Sequence, residues 1–208
     1  MNTVRGSLLG ALVGLAWAAA LRGYMAELAG SLSQVDWWGT FGAILLPGAL
    51  IGALLGAAYG RRARGPTRGL RWFGLAPLLF GIVPLLLPGG FIALVTQGLG
   101  GGAIAVGVAA VAAGFAISGA GPLWGRILAG IPGFGLLIAM VVATPFVGGP
   151  RLAVDDARGA WVAVLLGSLL ALLALAASIP FRPVPGADPR EGAGSPRPQV
   201  RAGGRPPG

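Results

Sequence analysis

The sequence predicts an all-α protein, a polytopic integral membrane helix bundle of about six transmembrane helices with glycine-rich packing. Three observations point there. Apolar residues make up 55% of the 208 residues and charged residues only 10%, where a soluble domain carries about 25% charged. Mean hydropathy is +0.82, and the few charges gather in short clusters between long uncharged runs. Glycine recurs at every fourth position in two of those runs, at Gly6, Gly10 and Gly14 and again at Gly48, Gly52, Gly56 and Gly60. That spacing strips one helix face of side chains, so another helix can approach backbone to backbone.

The first run opens after Arg5. Gly6 to Leu21 is uncharged and reads as a span over about 6–29. A rival reading is a secretory signal peptide, with Arg5 as its charged region and Leu8 to Leu15 as its apolar region. Ala16-Trp17-Ala18 or Ala18-Ala19-Ala20 would then be the cleavage site. The span is preferred, because a glycine face has no use on a segment that is discarded. Leu21 to Asp36 carries the end of this span and the first loop, with Arg22, Glu27 and Asp36. Ser33 and Asp36 form an S-x-x-D pattern ahead of Trp37, read as a capping box. Trp37 and Trp38 suit a membrane interface, where indole rings accumulate. The second span, 37–60, contains Pro47; at 1.5 Å per residue it reaches roughly 36 Å, enough to cross a hydrocarbon core of about 30 Å.

A basic cluster follows, Arg61, Arg62, Arg64, Arg68 and Arg71, with no acid among them. It is the strongest orienting signal in the chain and places this loop in the cytoplasm. Trp72 to Gly125 then carries no charge, too long a run for one span and enough for two, placed at about 72–88 and 101–119. Between them Phe91 to Leu99 is too short to cross and too apolar for an ordinary loop. It reads as an interfacial segment or extension of the fourth span, with a re-entrant hairpin presenting Gln97 as the alternative. The fifth span is about 127–147, with Pro132 and Pro145 near its ends. The sixth is about 160–181, with small residues at 160, 163, 167, 171 and 174 along one face. Residues 182–208 are rich in proline, glycine and arginine, lack an apolar period, and read as a disordered cytoplasmic tail.

Six spans with both termini inside place Arg5, Arg61, Arg62, Arg64, Arg68, Arg71, Arg126, Arg182, Arg190, Arg197, Arg201 and Arg205 in the cytoplasm. Only Arg22, Arg151 and Arg158 fall outside. This bias fits a bacterial inner, or cell, membrane protein and explains the net charge of +9 without nucleic acid. The runs RGYMAELAG, VDWWGTFG and PGALIGALLG between Leu21 and Gly60, and PLWGR at 122–126, resemble a pattern in uncharacterised multi-pass membrane proteins of high-GC actinobacteria. That group has no assigned activity. The resemblance implies a membrane location and nothing about mechanism.

Chemistry is narrowly bounded. Cysteine, histidine and lysine are absent, which removes thiolate nucleophiles, imidazole bases, Schiff-base lysines and the usual zinc, haem and iron–sulfur ligands. Ser118-Gly119 lacks the GxSG context and the base of an intramembrane serine protease. No catalytic residue, metal ligand or cofactor is expected, and the chain is read as not an enzyme. The leading expectation is a non-enzymatic structural or accessory membrane subunit, with the lipid bilayer and itself or another membrane protein as partners. The alternative is a small transporter or channel with an outer vestibule near Arg22, Glu27 and Gln97, since charges at membrane depth default to functional suspects. Arg22 and Glu27 stand about 140° apart on a helix and are poorly placed to pair directly. The glycine ladder itself fits packing of helix two on helix one within the chain, or a seam between copies.

Overall fold

The computed structural model describes residues 2–65, 69–86 and 101–183. Every element among them is helical. In chain order these are α1 (Thr3–Ala29), α2 (Leu46–Arg62), α3 (Leu79–Leu86), α4 (Gly101–Ile117), α5 (Leu123–Val142), α6 (Thr144–Gly148) and α7 (Ala157–Ser178). Gln97, the whole segment Phe91 to Leu99, Arg68 and the tail beyond residue 183 lie outside the described residues.

α1 is a run of alanine, leucine and glycine without proline, and it stays helical through Arg22, Tyr24 and Glu27. The loop proper then begins at Gly30. Gly30 ends the helix with φ of 59°, a left-handed value that glycine adopts without steric cost. A π-helical stretch, Trp37–Leu45, leads into α2. Its winding changes just ahead of Pro47, whose missing N–H and bulky ring disfavour a regular turn there. The capping box expected at Ser33 and Asp36 is corrected. Asp36 alone caps, its Oδ1 accepting from the Gly39 N–H at 2.5 Å, while Ser33 Oγ accepts from Arg22.

Four stretches are long and apolar enough to cross a membrane: Thr3–Leu32, Trp37–Arg62, Leu123–Gly148 and Ala157–Phe181. Leu70–Val83 and Gly101–Ile117, where the third and fourth spans were placed, are apolar but shorter. The first of these begins as a 3₁₀ segment, Leu70–Leu78, that holds Pro77. A 3₁₀ turn bonds three residues back, and the proline takes no part as donor.

α1 and α2 run antiparallel as a hairpin, and α4 sits among α3, α5 and α7. Small residues make that central place possible. A side chain added at Gly107 would stand 2.7 Å from the Pro77 carbonyl oxygen, and one at Gly114 would stand 2.9 Å from Ala177 Cβ. On the partner helix Gly133 would meet the Ala113 nitrogen at 2.6 Å. α7 is the most buried of the four long helices. Its inward face is Val162, Leu166, Leu169, Leu170, Leu173 and Ala177, at the helical spacing of one stripe. Of the small-residue stripe read for the sixth span only Ala174 is buried, its carbonyl 3.0 Å from a Cβ built on Gly114. Ala171 is exposed, and a Cβ at Gly167 would meet only Val141, at 3.8 Å. Large leucines fill the centre because the facing α4 surface, Ala109, Ala110 and Ala113, is itself small.

Candidate functional site

The glycine ladders of α1 and α2 face each other. A Cβ built on Gly10 or Gly52 would fall on the other's carbonyl oxygen, and Gly14 stands in the same relation to the Gly48 carbonyl. Gly56 reaches the Gly6 carbonyl, and Gly48 also abuts Ala18 Cβ. At the far end a Cβ on Gly60 would lie 2.9 Å from Thr3 Cα. All seven glycines singled out by their spacing thus lie on one antiparallel seam inside the chain.

The seam fixes two ends of the molecule. One end holds Arg5, Arg61, Arg62, Arg64, Arg71, Arg126 and Arg182, with no acid among the described residues. The other holds Arg22, Arg151 and Arg158 with Glu27, Asp36, Asp155 and Asp156. Five of the six tryptophans sit exposed near these ends, Trp72 and Trp124 by the arginine end and Trp37, Trp38 and Trp161 by the other. Trp17 is the exception. Its indole Nε1 donates to the Leu169 carbonyl at 2.8 Å, and its ring lies 5.3 Å from that of Phe80. This ties α1 to α7 and to α3 halfway along the hairpin.

Several arginines have a structural task that sequence reading missed. The last carbonyls of a helix lack partners within it, and cationic donors suit that end. Arg151 donates to the Leu28 carbonyl at the end of α1, at 2.6 Å, and to the Gly148 carbonyl at the end of α6, at 3.1 Å. Arg126 donates to the Ala116 carbonyl at the end of α4, at 2.8 Å. Arg62 donates to Ile179, Arg182 and Pro183 carbonyls just after α7. Arg61 stacks over Phe73 with 5.0 Å to the ring centre, and Arg64 and Arg71 are exposed. Nothing in the local sequence distinguishes an arginine that caps a distant helix from one that only faces water.

Arg22 and Glu27 are not brought together. Arg22 holds the turn before the second helix, donating to Ser33 Oγ at 3.1 Å and Thr40 Oγ1 at 3.4 Å, and also to the Gln34 carbonyl. Glu27 pairs with Arg158 at 2.7 Å. Close by, the hydroxyls of Tyr24 and Thr144 share a buried hydrogen bond of 3.1 Å. Among the described residues no group of acids could hold a metal ion.

A sizeable concavity lies elsewhere among the described residues. A groove of about 770 Å³ runs between α1, α2 and α7. The seam glycines form its floor, Leu9, Val13, Trp17, Phe80 and Leu172 its walls, and Tyr59 and Arg182 stand at its arginine end. It is apolar over most of its length. No family model matches this chain, and no curated protein or solved structure is significantly similar to it.

Proposed function

We propose that the protein is a multi-pass inner-membrane protein with six spans and both termini cytoplasmic. In this reading it acts as a non-enzymatic structural or accessory subunit, and the glycine seam is a zipper that compacts its first two spans. The observation that carries the reading is the charge-free middle of the described bundle. Every described charged side chain lies toward one end or the other, and Arg22, Glu27, Arg62, Arg126, Arg151 and Arg158 are each committed to a partner within the chain. A solute or proton pathway needs polar or ionisable groups turned toward the membrane interior. The described groups instead hold helix ends and turns in place. Tryptophans at both ends suit the two interfaces of a bilayer, and the arginine asymmetry suits a cytoplasmic face at the Arg61 end.

The seam is occupied within one chain, so association with another copy or another membrane protein would use an outer face. α5 offers one, with Trp124, Leu128, Ile131 and Ile138 all largely exposed. The test is the assembly state of the full chain in mild detergent, by light scattering corrected for bound detergent, together with flux assays in liposomes. A defined assembly larger than one copy, without solute flux, is expected. A single copy that moves an ion or solute overturns the proposal.

A further inference from the structure

We infer that the groove between α1, α2 and α7 is a binding site for an anionic phospholipid of the arginine-side leaflet. An acyl chain lies along the glycine floor and the headgroup phosphate rests at Arg182 and Tyr59. The inference rests on the bilayer reading above, because three long apolar helices form the groove and what surrounds it is then lipid.

Four observations converge on this occupant. The groove's volume, about 770 Å³, falls within the range of roughly 300–1,000 Å³ common to small-ligand sites. Its lining is apolar except at one end, where a guanidinium and a phenol provide hydrogen-bond donors. Arginine recognises phosphate through paired, charge-assisted hydrogen bonds. That end carries arginines and no acid among the described residues, a charge balance that attracts an anionic headgroup. Arg182 is also held in place beforehand. Its Nη2 donates to Ser178 Oγ at 3.1 Å, and its carbonyl accepts from Arg62, which lowers the ordering cost of binding. An apolar chain suits the rest of the groove, since an unfilled wall forfeits its dispersion contacts.

The test uses the full chain reconstituted in vesicles of equimolar phosphatidylglycerol and phosphatidylcholine, then extracted in mild detergent, with retained lipid quantified by mass spectrometry. The parent chain is expected to retain phosphatidylglycerol several-fold over phosphatidylcholine. Arg182→Gln should bring that ratio close to parity, while Arg71→Gln, an exposed arginine at the same end but off the groove, should leave it unchanged. Ala176, on α7, also lines the groove, so Ala176→Trp should reduce retained lipid of both kinds by filling it; if that variant misfolds, Leu9→Trp on the α1 wall reads the same loss. Equal retention of the two lipids by the parent overturns the inference, as does an equal effect of Arg71→Gln and Arg182→Gln. A dimer that Ala176→Trp dissociates, with lipid retention unchanged, assigns the groove to a second copy and also overturns it. A chain washed from membranes by alkaline carbonate sinks the bilayer reading itself, whereas a membrane-embedded chain without lipid preference sinks only the groove.

Discussion

Gly52→Ala places one methyl group in the middle of the α1–α2 seam. That methyl would fall on the Gly10 carbonyl oxygen and stand 2.9 Å from Gly14 Cα. Both neighbours are backbone, so no side chain can turn away, and the two helices must part or shift. Overpacking of this kind costs about 1–3 kcal/mol. Alanine also improves helix propensity over glycine by roughly 1 kcal/mol, which partly masks the loss. Gly23→Ala supplies the matched control. It makes the same chemical change in a helix, and nothing lies within 4 Å of the added methyl. Reversible denaturation in mixed micelles, followed by tryptophan fluorescence, gives both values. Gly23→Ala should be neutral or slightly stabilising, and Gly52→Ala should fall below it by about 1–3 kcal/mol. If the two variants unfold at the same denaturant concentration, the close approach of α1 and α2 is wrong.

Trp17→Phe keeps a ring against Phe80 but leaves the Leu169 carbonyl without its donor; a loss of about 1–3 kcal/mol is expected in the same denaturation assay, and no loss would remove the α1–α7 tie. Glu27→Gln breaks the pair with Arg158, whose side chain is 56% exposed, so the cost should stay within about 1 kcal/mol. Liposome flux should not respond to Glu27→Gln at all, and a flux lost in that variant would revive a vestibule at Arg22 and Glu27. Reporter fusions after residue 65 and after residue 154 should report opposite sides of the membrane, the first cytoplasmic; the same compartment for both would undo the six-span topology. Asp36→Ala removes the cap on the Gly39 N–H and should cost roughly 0.5–2 kcal/mol, with Asp36→Asn recovering most of it.

Arg22 and Glu27 invite a vestibule reading because they are charges close to a long apolar run. Their partners lie 11 and 131 positions away in the chain, at Ser33 and Arg158. A helical wheel shows only that they are ill placed to meet each other. It says nothing about which distant groups complete them. The same holds for Trp17, which lies in the first uncharged run and donates to a carbonyl 152 residues later.

Composition and spacing alone determined the helical, apolar character of the chain, the glycine faces of its first two long helices and the sorting of arginine toward one end. These are local properties: hydropathy sums over neighbours in sequence, and a four-residue period is one turn of helix. Tertiary structure decided how those pieces are used. It set Gly10 against Gly52, turned the leucine face of α7 inward with only Ala174 of its small-residue stripe, and made Arg62 and Arg151 donors to helix ends more than a hundred positions away. The physical reason is that a backbone carbonyl at a helix end, or a bare glycine face, accepts any donor or surface of suitable shape. Only the folded arrangement brings one particular partner within reach.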